Sequence, residues 1–112
     1  MQDILDRLTA LAEGPRQAAP AYIRVYQFEG DRAPDGIVEQ FVQEYEQIVQ
    51  FVSAHWGPPA FEGTWEMPGF PEWHHWVARL AYWHRNDRQI YIACDQPNPE
   101  MPIFIAIGVR NN

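Results

Sequence analysis

The chain has 112 residues, which is enough for a single domain spanning 1–112, and 46% of them are hydrophobic and 14% aromatic, so a buried core is expected. The formal net charge is −7, and the chain contains no lysine. This composition argues against nucleic acid as a partner, and it excludes both Schiff-base enzymes and phosphate loops of the Walker type.

The negative charge is concentrated in one part of the sequence. Residues 29–66 contain eight acidic residues against Arg32 alone, so they carry the whole net charge of −7. A field of this kind speeds association with a basic partner and repels nucleic acid and anionic membranes. No apolar run reaches the length of a membrane span or of an export signal, and Cys94 is the single cysteine. We therefore expect a cytoplasmic protein without disulfides.

The first 20 residues predict a short helix and a connector. Apolar residues recur at helical spacing over 2–13, and Gly14-Pro15 ends the pattern. Two prolines without periodicity indicate a connector over 15–20. Residues 21–28 are rich in β-branched and aromatic types and precede the turn cluster at 29–31, which predicts the first strand.

A long amphipathic helix is predicted over 35–55, with Asp35 as its N-cap. On a helical wheel centred on Tyr45, eight apolar residues fall within about 80° of the centre. They are Ile37, Val38, Phe41, Val42, Tyr45, Ile48, Val49 and Val52. Phe51 falls outside this stripe, so we expect a loop or a partner to cover it. Gly57 and two following prolines end the helix.

The rest of the chain predicts irregular structure followed by antiparallel strands. Residues 57–72 are rich in proline and glycine, with a short strand at 61–66, and strand-like runs follow at 75–84, 89–95 and 103–109. A two-residue turn at Asn86-Asp87 would place Trp83 opposite Ile90 and Tyr82 opposite Tyr91. The order of elements predicts an α+β domain: an antiparallel sheet of four to five strands, one long helix packed on one face, and a short N-terminal helix.

Catalytic signatures are absent from the sequence. No Gly-x-Ser-x-Gly elbow surrounds Ser53, and Cys94 lies in an alternating strand pattern that predicts a buried core residue. The pair His74-His75 cannot chelate from one face of a strand, and neither His55 nor His84 completes a ligand spacing. We therefore expect neither catalysis nor a metal or other cofactor.

Two sets of candidate site residues remain. The first combines the acidic helix with aromatic residues that have no assured place in one core, as interfaces favour aromatic side chains inside a polar rim. These partner-binding candidates are Asp35, Glu39, Glu44, Glu46, Phe51, Tyr82 and Tyr91. The second is a ligand pocket in segment 61–76, where carboxylates stand beside tryptophans. Its candidates are Glu62, Trp65, Glu66, Trp73 and His74.

Several stretches also resemble a known class of proteins over about residues 36–109. They are the helix end His55-Trp56-Gly57-Pro58, the hairpin from Ala81 to Tyr91, Cys94-Asp95, Met101-Pro102 and the run 103–108. In these stretches the chain is similar to the immunity proteins encoded beside bacterial polymorphic or contact-dependent toxins. The resemblance implies a small, acidic, non-enzymatic cytoplasmic protein that occludes the active site of a toxin.

The sequence thus predicts an acidic binding protein that neutralises or escorts a basic protein partner, most concretely a toxin domain. The alternative is a small-molecule binding domain or minor enzyme that uses segment 61–76. A third hypothesis is a homodimerisation module in which the helix at 2–13 pairs or swaps.

Overall fold

The computed structural model describes residues 1–16, 18–27, 34–74, 77–98 and 100–111, and they form one α+β domain. Two helices and five strands are present in this part of the chain. In chain order they are α1 (Gln2–Glu13), β1 (Ala21–Tyr26), α2 (Ile37–Trp56), β2 (Phe61–Gly63), β3 (Arg79–Arg85), β4 (Arg88–Asp95) and β5 (Ile103–Asn111). The strands form one antiparallel sheet in the order β1-β5-β4-β3-β2, which confirms the predicted fold class.

The hairpin between β3 and β4 has the predicted turn and register. Asn86 and Asp87 have φ values of 52° and 62°, which a two-residue turn with positive φ at both positions requires. Trp83 consequently pairs with Ile90. The preceding strand begins at Arg79 instead of residue 75, and the predicted positions 75 and 76 lie outside the described residues.

The first face of the sheet packs against both helices. Phe41, Tyr45 and Ile48 of α2 are buried there, as the helical stripe predicts. Isoleucines of β4 and β5 cover the opposite side of this core, and Cys94 is buried among them. The apolar stripe of α2 and the inward-facing residues of the strands therefore form one core.

The second face of the sheet has its own cover. Residues 64–74 and 77–78, which we call the covering segment, lie over β3 and β4, where Val77 is buried with Leu80 and Tyr91. The amide of Ala78 donates a hydrogen bond to the carboxylate of Asp95 at 3.1 Å and fixes one end of the segment. This second core explains why a segment so rich in proline and glycine carries several aromatic residues.

The tip of the β3–β4 hairpin holds the C-terminus of α1. The side-chain amide of Asn86 donates to the carbonyl of Ala12 at 3.1 Å, and the guanidinium of Arg88 donates to the carbonyl of Leu11 at 2.9 Å. A cation suits this position because the last carbonyls of a helix carry partial negative charge. Arg88 is also buried, so packing as well as charge holds its side chain in place.

The same hairpin tip holds the C-terminus of α2. Gly57 ends the helix with a φ of 85°, and the indole of Trp83 donates to its carbonyl oxygen at 2.9 Å. The guanidinium of Arg85 lies 4.7 Å from the ring centre of Trp56. Because both helix C-termini are fixed at the hairpin, the N-terminal half of α2, with its acidic residues, lies toward the other end of the sheet.

Other local predictions are wrong. Helix α2 begins at Ile37, and its N-cap is Gly36, whose φ of 86° suits glycine, so Asp35 is an exposed residue that precedes the cap. Val38 is 44% exposed because the first turn of α2 borders an open depression. Strand β1 ends at Tyr26 instead of residue 28, and the predicted turn at 29–31 lies outside the described residues.

Neither described helix is long and apolar enough to cross a membrane.

Candidate functional site

An open depression of about 440 Å³ lies along the N-terminal half of α2. We call it the acidic surface, and its lining residues come from α2 and the start of β3: Val38, Glu39, Val42, Gln43, Glu46 and Arg79. Glu39 and Glu46 are exposed and lie seven residues apart, which is about 10.5 Å along a helix axis. Half-buried Val42 lies between them in the helix, and exposed Val38 lies one residue before Glu39. The lining of the depression therefore combines apolar side chains with carboxylates.

Glu44 belongs to the fold and not to the acidic surface. Its carboxylate lies 3.1 Å from the Nε atom of Arg24 on β1, and the same nitrogen donates a hydrogen bond to its other oxygen at 3.2 Å. The guanidinium of Arg24 also lies 5.9 Å from the ring centre of Phe41. Since Glu44 is half-buried in this contact between strand and helix, its charge is already balanced.

A buried hydroxyl lies beneath the same part of α2. Tyr45 is 1% exposed, and its hydroxyl has no hydrogen-bond partner among the described residues. Burial raises the pKa of this phenol, and the negative charges of Glu62 and Glu46 raise it further, while Arg79 lowers it. Glu62, Glu46 and Arg79 thus lie within electrostatic range of one buried atom.

Glu62 therefore belongs with the helix face of the sheet. In the β2–β3 pairing it is opposite Ala81, which is part of the core beneath α2. Trp73 and His74 pack on the second face, so the sheet separates them from Glu62. Trp65 and Glu66 are exposed in the covering segment. The five residues predicted for a ligand pocket do not form one pocket.

The aromatic partner candidates have places within the fold. Phe51 is half-buried, packs against the first core and lies 4.8 Å from the ring of His55. Tyr82 is half-buried between Phe61 and Trp73. Tyr91 is 8% exposed and has its place in the second core, which the sequence did not assure. The covering segment buries Tyr91, and no periodic pattern in its sequence predicts this contact.

Four residues that line the acidic surface are not among the candidates from the sequence: Val38, Val42, Gln43 and Arg79. Val38 was assigned to the buried stripe because it lies close to its centre on the wheel, and a wheel does not show where the sheet ends. Arg79 lies opposite Cys94 in the predicted β3–β4 register, but this register alone does not show that α2 lies beside that end of the strand. Gln43 lies on the polar half of the helix, so its exposure was predictable.

Cys94 has none of the properties of a catalytic nucleophile. It is buried beneath α2, and burial raises its pKa to about 12, with the charge of Asp95 adding to the effect. The described residues contain no group of three or more histidine, cysteine or acidic side chains that could hold a metal ion. Comparison with protein-family models, with curated proteins and with solved structures gives no match.

Proposed function

We propose that this protein is a non-enzymatic binding protein that neutralises or escorts a basic protein partner through the acidic surface of α2. Its most concrete form is an immunity protein that occludes the active site of a toxin domain. The observation that carries the proposal is the exposed pair Glu39 and Glu46 in the lining of a depression that also contains the exposed side chain of Val38. Protein interfaces likewise combine apolar contacts with polar groups.

Charge complementarity supports a basic partner. Helix α2 contains three glutamates and no lysine or arginine, and Glu44 is already paired with Arg24. The carboxylates of Glu39 and Glu46 therefore remain accessible to a partner. Arg79 is the single basic residue in the lining of the depression. An arginine or lysine side chain of the partner would pair with these carboxylates, and its methylene groups would pack on Val38 and Val42.

The acidic surface is also preorganised. Phe41, Tyr45 and Ile48 fix α2 on the sheet, and Trp83 holds the helix end at Gly57. A surface on a fixed helix loses little conformational entropy on binding, so more of its interaction free energy appears as affinity. Such rigidity suits a protein that must block another protein in one defined orientation.

A binding role also suits the chemistry of the chain. The buried, neutral thiol of Cys94 offers no nucleophile at physiological pH, and a single free thiol is ordinary in a reducing compartment. We accordingly place the protein in the cytoplasm, where an immunity protein would meet a toxin before it acts.

The test is complex formation with the protein encoded next to this chain's gene, because immunity proteins are encoded beside their toxins. Light scattering after size-exclusion chromatography should show a complex of defined stoichiometry. Hydrogen exchange should show added protection of the backbone amides of α2 around residues 38–46, with those of α1 unchanged. Absence of a complex at micromolar concentrations, or protection confined to α1, would contradict the proposal.

A further inference from the structure

Two adjoining cavities on the second face of the sheet share Tyr22 and Phe104. The larger has a volume of about 390 Å³ and the smaller about 70 Å³. We call them together the apolar trough. Besides the shared pair, the larger is lined by Val25, Gln27, Pro97, Met101 and Pro102, and the smaller by Pro20, His74, Val77, Tyr91, Ala93 and Ala106.

The trough exists because the covering segment protects only part of the second face. It lies over β3 and β4, while β5 and the edge strand β1 stay open. The pairing of β1 with β5 shifts between Tyr22 and Arg24, so Tyr22 lies opposite Ala106 and Val25 opposite Phe104. This irregularity brings Tyr22 and Val25 to the same face, where they are 61% and 50% exposed.

The lining of the trough carries no charged residue among those that the structure describes, although the chain as a whole has a net charge of −7. Its walls are aromatic, aliphatic, thioether and proline groups. Polar groups come from Gln27 in the larger cavity and from His74 and Tyr91 in the smaller one. Burial raises the pKa of Tyr91, and the phenol of Tyr22 adds to the effect, which places the two hydroxyl groups within electrostatic range. Such a site can bind an uncharged molecule. An ion would lose its hydration here, and an uncharged lining does not offset that cost in free energy.

We propose that the apolar trough binds a neutral, mainly apolar small molecule that contains a ring system. Its main cavity falls within the range of about 300 to 1,000 Å³ that is usual for small-molecule sites. Tyr22 and Phe104, whose ring centres lie 5.2 Å apart at 87°, offer ring contacts to such a ligand. Ring compounds are favoured over an added β-strand because the irregular pairing near Tyr22 opposes regular strand addition at this edge.

Two dyes that differ by one charged group provide the probe. N-phenyl-1-naphthylamine is neutral, and 8-anilinonaphthalene-1-sulfonate has the same rings with a sulfonate. Fluorescence titration of the full chain should show saturable binding of the neutral dye at one site per chain. The sulfonated dye should bind at least tenfold more weakly at both low and high salt, because burial of its charge and not distant repulsion is the cause.

A pair of methionines provides matched variants. Met101 lines the trough and is 44% exposed, while Met67 lies in the covering segment and is 45% exposed. Met101→Glu should weaken binding of the neutral dye at least tenfold, and Met67→Glu should leave it within twofold, with circular dichroism confirming that both variants fold. Equal losses in both variants, or no saturable binding by the native chain, would overturn the proposal. So would a concentration-dependent dimer that Met101→Glu abolishes, since a second copy would then occupy the trough.

Discussion

The phenol ring of Tyr91 lies across Gly108, its partner residue on β5, so closely that a Cβ atom at position 108 would collide with the ring. The absence of a side chain on Gly108 thus allows Tyr91 to lie flat in the second core. This contact fixes one wall of the apolar trough, and it explains why a tyrosine in the middle of a sheet is not an exposed binding residue.

Gly108→Ala should therefore destabilise the protein by about 1 to 3 kcal/mol, as expected when a well-packed site is overfilled. Urea denaturation followed by circular dichroism measures the change. Gly63→Ala is the control, because a Cβ there would meet mainly the flexible end of Met67, which can move away. A loss for Gly108→Ala no larger than that for Gly63→Ala would show that Tyr91 adjusts freely.

Phe41→Ala should lower the free energy of unfolding by about 3 to 5 kcal/mol, as large-to-small changes in cores do. Phe41 is 4% exposed between α2 and the sheet and also faces the guanidinium of Arg24. The exposed residue Val38 offers a control on the same helix, and Val38→Ala should change stability by at most about 0.5 kcal/mol. Similar effects of the two changes would contradict the packing of α2.

Tyr45→Phe should stabilise the fold by about 1 kcal/mol, because the variant removes a buried hydroxyl that has no partner among the described residues and keeps the ring. Thermal and urea unfolding together would measure the gain. A clear loss of stability would mean that the hydroxyl makes a hydrogen bond in solution.

Stability should also decline in alkali because of Cys94. Burial raises the pKa of this thiol from 9.0 to about 12, so the folded state keeps its proton at pH values where the unfolded chain loses it. The contribution is fully present below pH 9 and is lost as pH rises toward 12. Urea unfolding across this range should show a smaller decline in Cys94→Ala than in the native chain. Identical pH profiles would contradict this assignment.

The sequence predicted those parts of the fold that local patterns determine. Asn86-Asp87 fixed the β3–β4 register, and the spacing of apolar residues fixed α2. Contacts between distant segments could not be predicted in this way. The pairing of Glu44 with Arg24 requires β1 to lie beside α2, and no local pattern shows this.

Local patterns also do not determine which face of the sheet a residue of an edge strand occupies. Glu62 lies in a strand of only three residues, so a shift of one residue decides whether it faces α2 or the covering segment. The shift in pairing near Tyr22 similarly turned Val25 toward the trough. Both effects depend on the detailed pairing of edge strands, which carry little periodic signal.

We expect the acidic surface to guide association with a basic partner. Reversal of both exposed charges, Glu39→Arg with Glu46→Arg, should slow association several-fold at low salt, with a smaller effect on dissociation, because the summed field steers encounter. The matched control is Glu13→Arg with Glu100→Arg, which makes the same change in net charge at exposed positions outside the lining of the depression.

The most direct measurement is the association rate with the protein encoded next to this chain's gene, at two ionic strengths, for the native chain and both double variants. We predict that reversal at Glu39 and Glu46 slows association and flattens its salt dependence more strongly than the control reversal does. Equal association rates for the two folded double variants would show that the acidic surface of α2 contributes only to net charge, and would contradict the account.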